Sequence, residues 1–125
     1  MIATGIDVVD IARLEAALAR WPRLAERLFT PGERAYAASR PRPVESLAAR
    51  FAAKEAAMKA LAAGWPRVSW QEIEVVRGDG APGLVLTGRA LELAAGGRCS
   101  VALAHDGGVA IASVILEWPS ELSPD

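Results

Sequence analysis

The chain has 125 residues, 52% of them hydrophobic and 23% charged, and a formal net charge of -1. That length and balance describe one domain with a core of its own, which needs no staples to fold. A single cysteine, Cys99, excludes an internal disulfide framework; no apolar run approaches the roughly 20 residues that span a bilayer, and MIATGIDVVDI has no basic leader before an apolar stretch, so the expected setting is a soluble protein of the reducing cytoplasm. Near-neutrality also argues against nucleic-acid binding driven by whole-domain charge, and the basic residues lack interleaved aromatics. The charge is unevenly spread, however: residues 11–50 carry eight Arg against four Glu, and residues 78–125 two Arg against six acids. A local basic region of that kind suits an acidic partner.

In chain order, Ile2, Thr4, Ile6 and Val8 alternate with Ala3, Gly5, Asp7 and Val9. This is a strand with one bulky face and one small face that ends near an acid. Asp10 is placed to cap a helix with the stripe Ile11, Leu14 and Leu18, which Trp21-Pro22 interrupts. After a short helical stretch through Leu24 and Leu28, TPGE supplies Thr30 as N-cap, Pro31 in the first turn and Glu33 to close a capping box. The helix so begun stops before RPRP, residues 40–43. From about Val44 to Ala63 there is no Gly or Pro, and Leu47, Phe51, Met58 and Leu61 share a side at helical spacing, so this is the main helix, ended by Gly64-Trp65-Pro66. EIEVV, residues 72–76, alternates as a strand; RGDGAPG is its turn, and Leu84 to Leu86 pairs back. Thr87 is placed to cap a short helix to about Ala95. CSVALAH and VAIASVILEW then form a hairpin through Asp106, Gly107 and Gly108, and PSELSPD is a frayed tail. Helices and mostly antiparallel strands segregate along the chain, which defines an α+β class with a long central helix, a single domain over residues 1–118 and a short tail over 119–125.

Both lysines of the chain lie in RFAAKEAAMKAL, residues 50–61, and the other twelve basic residues are arginines. Glu55 and Lys59 fall one turn apart on a face otherwise made of Ala48, Ala52 and Ala62. Spacing alone makes them a surface ion pair worth about 0.3–0.5 kcal/mol. The alanines, however, let another element approach closely, and Ala3 and Gly5 give the first strand a matching small face beside Asp7. If those faces meet, Asp7 and Glu55 converge, and a divalent cation would relieve their repulsion. Hard oxygen ligands in small number suit Mg²⁺, which keeps positions for water and phosphate, and Lys59 is placed to neutralise a phosphate oxygen. Lys54 falls within the Leu47, Phe51, Met58 stripe, so its stem is packed, its amine snorkels to an acceptor or a neighbouring chain, and its role is structural first. His105, the only histidine, and the exposed Arg13 and Arg20 of the first helix read in isolation as a turn residue and a solvated face.

Two segments together resemble a known family. GIDVVDIARLE, residues 5–15, is similar to the N-terminal signature of holo-acyl-carrier-protein synthases, the short type of 4'-phosphopantetheinyl transferase. RFAAKEAAMKAL is similar to their second signature through Phe51, Lys54, Glu55 and Lys59, and LAHDGGVAIASVI resembles their closing hairpin. The resemblance implies the family's α+β fold, a homotrimer with each active site between two subunits, and Mg²⁺-dependent transfer of 4'-phosphopantetheine from coenzyme A to a serine of an apo acyl carrier protein, releasing adenosine 3',5'-bisphosphate. By position, it implies Asp7 and Glu55 as metal ligands and, with Lys59, as the catalytic set. It further implies contacts to coenzyme A from Arg50, Lys59, His105 and Pro82, and docking of the acidic carrier by Arg13 and Arg20. The serine proton is left to Glu55, Asp7, Asp106 or a metal-bound water.

Three positions depart from the family pattern: Ala104 where a hydroxyl residue usually precedes the histidine, LAAGWPR (residues 61–67) in place of a glycine-richer loop, and a short Gly80-Ala81-Pro82 that keeps only the G-x-P. They motivate one alternative, a trimeric carrier-binding module of the same fold without activity.

Overall fold

The structure, a computed structural model, describes residues 1–77 and 80–119. Gly78 and Asp79 of the expected turn, and residues 120–125 of the expected tail, lie outside the described residues. The element order is β1 (Ile2–Asp10), α1 (Ile11–Arg20), α2 (Leu24–Leu28), α3 (Pro31–Ala38), α4 (Pro43–Leu61), a 3₁₀ turn at Trp70–Glu72, β2 (Ile73–Arg77), β3 (Pro82–Leu86), α5 (Gly88–Ala94), β4 (Arg98–Asp106) and β5 (Val109–Glu117). The strands form two antiparallel sheets, β1-β5-β4 and β2-β3. This is the expected α+β arrangement.

The local signals act as the sequence suggests. Asp10 accepts a hydrogen bond from the Arg13 amide at 3.1 Å, which starts α1. Thr30 and Glu33 exchange both bonds of a capping box at the head of α3. The β4–β5 turn is made by Gly107 and Gly108 alone, at φ of 58° and 85°, a left-handed pair that fits the twist of a two-residue hairpin.

Two details differ. Helix α4 ends at Leu61, before Gly64, because Ala62 itself takes the left-handed conformation at φ 58° and closes the last turn through the Lys59 carbonyl. For a residue with a Cβ that costs about 1–2 kcal/mol. Thr87 occupies the N-cap position of α5 without a side-chain cap bond; the Glu72 carboxylate, reaching over from the 3₁₀ turn, accepts from the Arg89 amide instead.

The core is centred on α4, which packs chiefly on β1 and β5. Its most buried positions are not the Leu47–Phe51 stripe but the alanines: Ala48, Ala52, Ala53 and Ala56 are fully buried. The small face of β1 lies directly on them. A Cβ added to Gly5 would stand 1.8 Å from the Ala56 carbonyl oxygen, so only glycine permits this approach. The bulky face of β1 points the other way, leaving Ile2, Ile6 and Val8 more than half exposed.

Gly5→Ala must therefore push strand and helix apart. The expected cost is about 3 kcal/mol or more, read as a lowered midpoint in thermal or urea unfolding; a wild-type midpoint would show that the contact is not tight.

Candidate functional site

Because β1 lies against the alanine face of α4, Asp7 comes down beside the helix one turn before its end. The Lys59 ammonium is 3.0 Å from Asp7 Oδ1 and donates to the Ile6 carbonyl at 2.8 Å. Glu55 sits one helical turn earlier. Burial pushes its carboxyl above the ordinary value, the negative charge of Asp7 adds to the push, and Lys59 opposes it. The three groups thus share one electrostatic environment, the convergence expected from the two small faces.

Asp7 and Glu55 border a cleft of about 480 Å³ that also reaches Arg13 and Leu14 of α1. A second recess of about 540 Å³ lies on the other side of Glu55, with Lys59, Met58 and Trp65 in its walls. Among the described residues, no three His, Cys, Asp or Glu side chains gather around one point. Any cation at this centre would have two protein carboxylates, which fits Mg²⁺ better than a metal that needs an all-protein cage. A cation there would oppose both influences that raise the Glu55 carboxyl, burial first and the Asp7 charge second.

Arg50 and His105 lie elsewhere. Together with Arg40, Arg42 and Arg77 they line a cleft of about 430 Å³ between α3, α4 and the end of β4. Arg50 is 3% exposed, stacks on the Tyr36 ring at 4.3 Å and donates to Ser46 Oγ at 2.9 Å. Its Nε is buried without a hydrogen-bond partner, and burial pushes the guanidinium below its ordinary value, with Tyr36 and Glu33 opposing. A cluster of guanidinium groups with an unpaired buried donor is chemistry that an anion completes. Pro82 is not among the lining residues, but its cross-strand partner Arg77 is.

The two clefts stand on opposite flanks of α4. Arg50 and Lys59 are nine positions apart, which turns the side chain by about 180° and advances it by about 13.5 Å. Within one chain the structure brings Asp7, Glu55 and Lys59 together, with Arg13 at their rim; it gathers Arg50 and His105 separately. Arg20 lies on the exposed side of α1, over the Trp21 ring at 5.0 Å. The sequence reading missed Arg40, Arg42 and Arg77, because RPRP reads as a helix stop and Arg77 as the start of a turn. It also missed Trp65, whose exposure beside Lys59 no periodicity indicates.

A strand acid set against a helical Glu and Lys, with an arginine-lined cleft across the same helix, defines an α+β domain equipped for phosphate-bearing ligands. The comparisons specify which one. The chain belongs to the 4'-phosphopantetheinyl transferase superfamily, whose sequence model matches residues 3–112. It is 49% identical over 121 residues to the holo-[acyl-carrier-protein] synthase of Moorella thermoacetica, covering 94% of each chain, and 50% identical over 121 residues to that of Kocuria rhizophila, covering 94% of this chain and 93% of the relative. Among solved structures, the Chronobacterium ammoniagenes ACPS-CoA complex superposes with a TM-score of 0.84 at 31% identity, covering 95% of this chain and 98% of the other. The Helicobacter pylori holo-[acyl-carrier-protein] synthase in complex with coenzyme A gives 0.82 at 32% identity, covering 94% and 100%.

Lys54 precedes Glu55 but faces the interior and is fully buried. Its ammonium is 2.8 Å from Glu33 Oε1 and donates to the carbonyls of Trp70 and Ile73. Glu33 in turn accepts from the amides of Thr30 at 2.9 Å and Val75 at 2.7 Å. Burial pushes the Lys54 ammonium below its ordinary value and Glu33 opposes this. The amine reaches acceptors as expected, yet not toward solvent: it ties α4 to α3 and β2. Removing one partner leaves the other charge buried, so Lys54→Met is expected to destabilise by about 3–5 kcal/mol in urea unfolding. Lys54→Met combined with Glu33→Gln should recover part of that loss; no recovery would contradict the pairing.

Proposed function

We propose that this chain transfers 4'-phosphopantetheine from coenzyme A to a serine of an apo acyl carrier protein, releasing adenosine 3',5'-bisphosphate. The observation that carries the reading is the meeting of Asp7, Glu55 and Lys59 in a member of this superfamily whose relatives are named holo-acyl-carrier-protein synthases. The domain proposed for this activity is residues 1–118. The proposed setting is the cytoplasm; no helix among the described residues is long and apolar enough to cross a membrane.

In the proposed reaction the serine oxygen bonds to the phosphorus next to pantetheine, and the bond from that phosphorus to the bridging oxygen of the pyrophosphate breaks. Lys59 neutralises charge that develops on the phosphate oxygens. The serine proton passes to one of the carboxylates, Glu55 or Asp7 at this centre or Asp106, or to water. Asp7 and Glu55 would hold Mg²⁺, which supplies charge neutralisation at the pyrophosphate. Arg13, at the rim of the same cleft, and Arg20, farther along α1, give the acidic carrier a basic face to dock on. Arg50 and His105 take phosphates of coenzyme A, and Pro82, beside Arg77, meets its adenine.

Within one chain the residues assigned to coenzyme A lie on opposite flanks of α4. The reading therefore requires a second copy, whose Arg50 and His105 face the Asp7–Glu55–Lys59 centre of the first; a homotrimer meets this requirement. The exposed apolar face of β1 and β5, with Ile2, Ile6, Val8 and Ile115 each 44–61% exposed, supports self-association. No observation specifically favours the alternative of an inactive carrier-binding module.

Incubation with Mg²⁺, coenzyme A and apo carrier protein should add one phosphopantetheine mass to the carrier, and chelation by EDTA should stop the addition. Glu55→Gln should lower kcat by about 10²–10⁴-fold with the fold intact; near-normal turnover would remove Glu55 from the chemistry. Arg50→Gln and Glu55→Gln chains, each inactive alone, should regain activity when refolded together. No recovery would place the whole site within one chain.

A further inference from the structure

Helix α4 ends beside an aromatic pair. Trp65 and Trp70 lie nearly parallel, at 14° with ring centroids 6.3 Å apart, and Trp65 remains 54% exposed. Both rings line the recess that Glu55 and Lys59 also line, together with Met58 and Ala62. Glu55 and Phe51 belong equally to the other cleft, the one that holds Asp7 and Arg13. The reacting centre thus has two mouths that share a wall, one on the α1 side with Arg13 at its rim and an aromatic one on the Trp65 side.

In-line displacement at phosphorus sets the nucleophile and the leaving group on opposite sides of the reacting atom. If the carrier serine arrives by the Arg13 mouth, the departing nucleotide occupies the other, where a broad indole face adjoins a phosphate-neutralising lysine. Purine rings stack well on such faces.

We propose that Trp65 is a specificity-determining residue that stacks on the adenine of coenzyme A and of the departing adenosine 3',5'-bisphosphate. This rests on the transferase reading above. In the shared site the base lies between Trp65 of one copy and Pro82 contributed by a second. The pantetheine arm, which carries no aromatic ring, leaves the phosphorus in a third direction and does not use this face.

Calorimetric titration of the full chain with adenosine 3',5'-bisphosphate, and separately with 4'-phosphopantetheine, tests the assignment. Trp65→Ala is expected to weaken the bisphosphate by ~10-fold or more and to raise KM for coenzyme A in parallel. It should keep kcat within ~3-fold and leave the affinity for 4'-phosphopantetheine unchanged, while Trp65→Phe should restore most of the loss. Unchanged affinity for the bisphosphate overturns the proposal, and a loss confined to 4'-phosphopantetheine overturns it by giving the recess to the arm. Failure of the wild-type chain to load any carrier would sink the transferase reading instead, and the nucleotide titration would still decide the stacking.

Discussion

The structure depends on the contact between Gly5 of β1 and the main chain of α4 at Ala56. Everything chemical follows from that approach. A strand standing off the helix by the width of one side chain would carry Asp7 away from Lys59 and Glu55, and the acids would no longer share a field. The same contact fixes which face of β1 turns outward, and so places Ile2, Ile6 and Val8 on the surface. Position and exposure are two results of one steric condition.

Helix α4 carries unlike functions on its separate faces. Glu55 and Lys59 continue the line of Ala48 and Ala52, the alanines around Ala56 meet the sheet, and on the opposite side Arg50 and Lys54, one turn apart, turn to the arginine-lined cleft and to Glu33 respectively. A helix covered on so many sides is not amphipathic in the ordinary sense. Its rotation is set by polar contacts as well as by packing, with Lys54 acting as an internal stop: turning the helix would strand a buried charge.

Most of the fold was legible because its signals are local. Asp10, the Thr30–Glu33 box and Gly107-Gly108 each determine their element within a few residues. The acid–lysine centre was legible for a less usual reason: small residues in β1 and α4 imply contact between two segments some fifty positions apart. The alanine part of α4's buried core was not, since alanine is nearly silent in a hydrophobic-period reading; of the stripe that was read, Met58 and Leu61 are buried and Leu47 and Phe51 half-buried. Nor was the cleft around Arg50 legible. Tyr36 of α3, Arg42 and Arg50 of α4 and its cap, and Arg77 of β2 come from three elements, and only tertiary packing brings them together. Trp65 likewise gains its meaning from Lys59 across a helix end that the sequence placed two residues later, at Gly64.

The alanine surface under β1 also governs how sharply the centre is defined. Alanine and glycine have no side-chain rotamers to lose on burial, so joining strand and helix carries little side-chain entropy cost. They have none to exchange afterwards either. Interfaces filled by leucine or methionine can absorb a displacement by repacking; this one has only main-chain atoms to move. The spacing between Asp7 and the Glu55–Lys59 turn is therefore as stiff as the backbone itself, and the register of the acids does not fluctuate with the side chains around it.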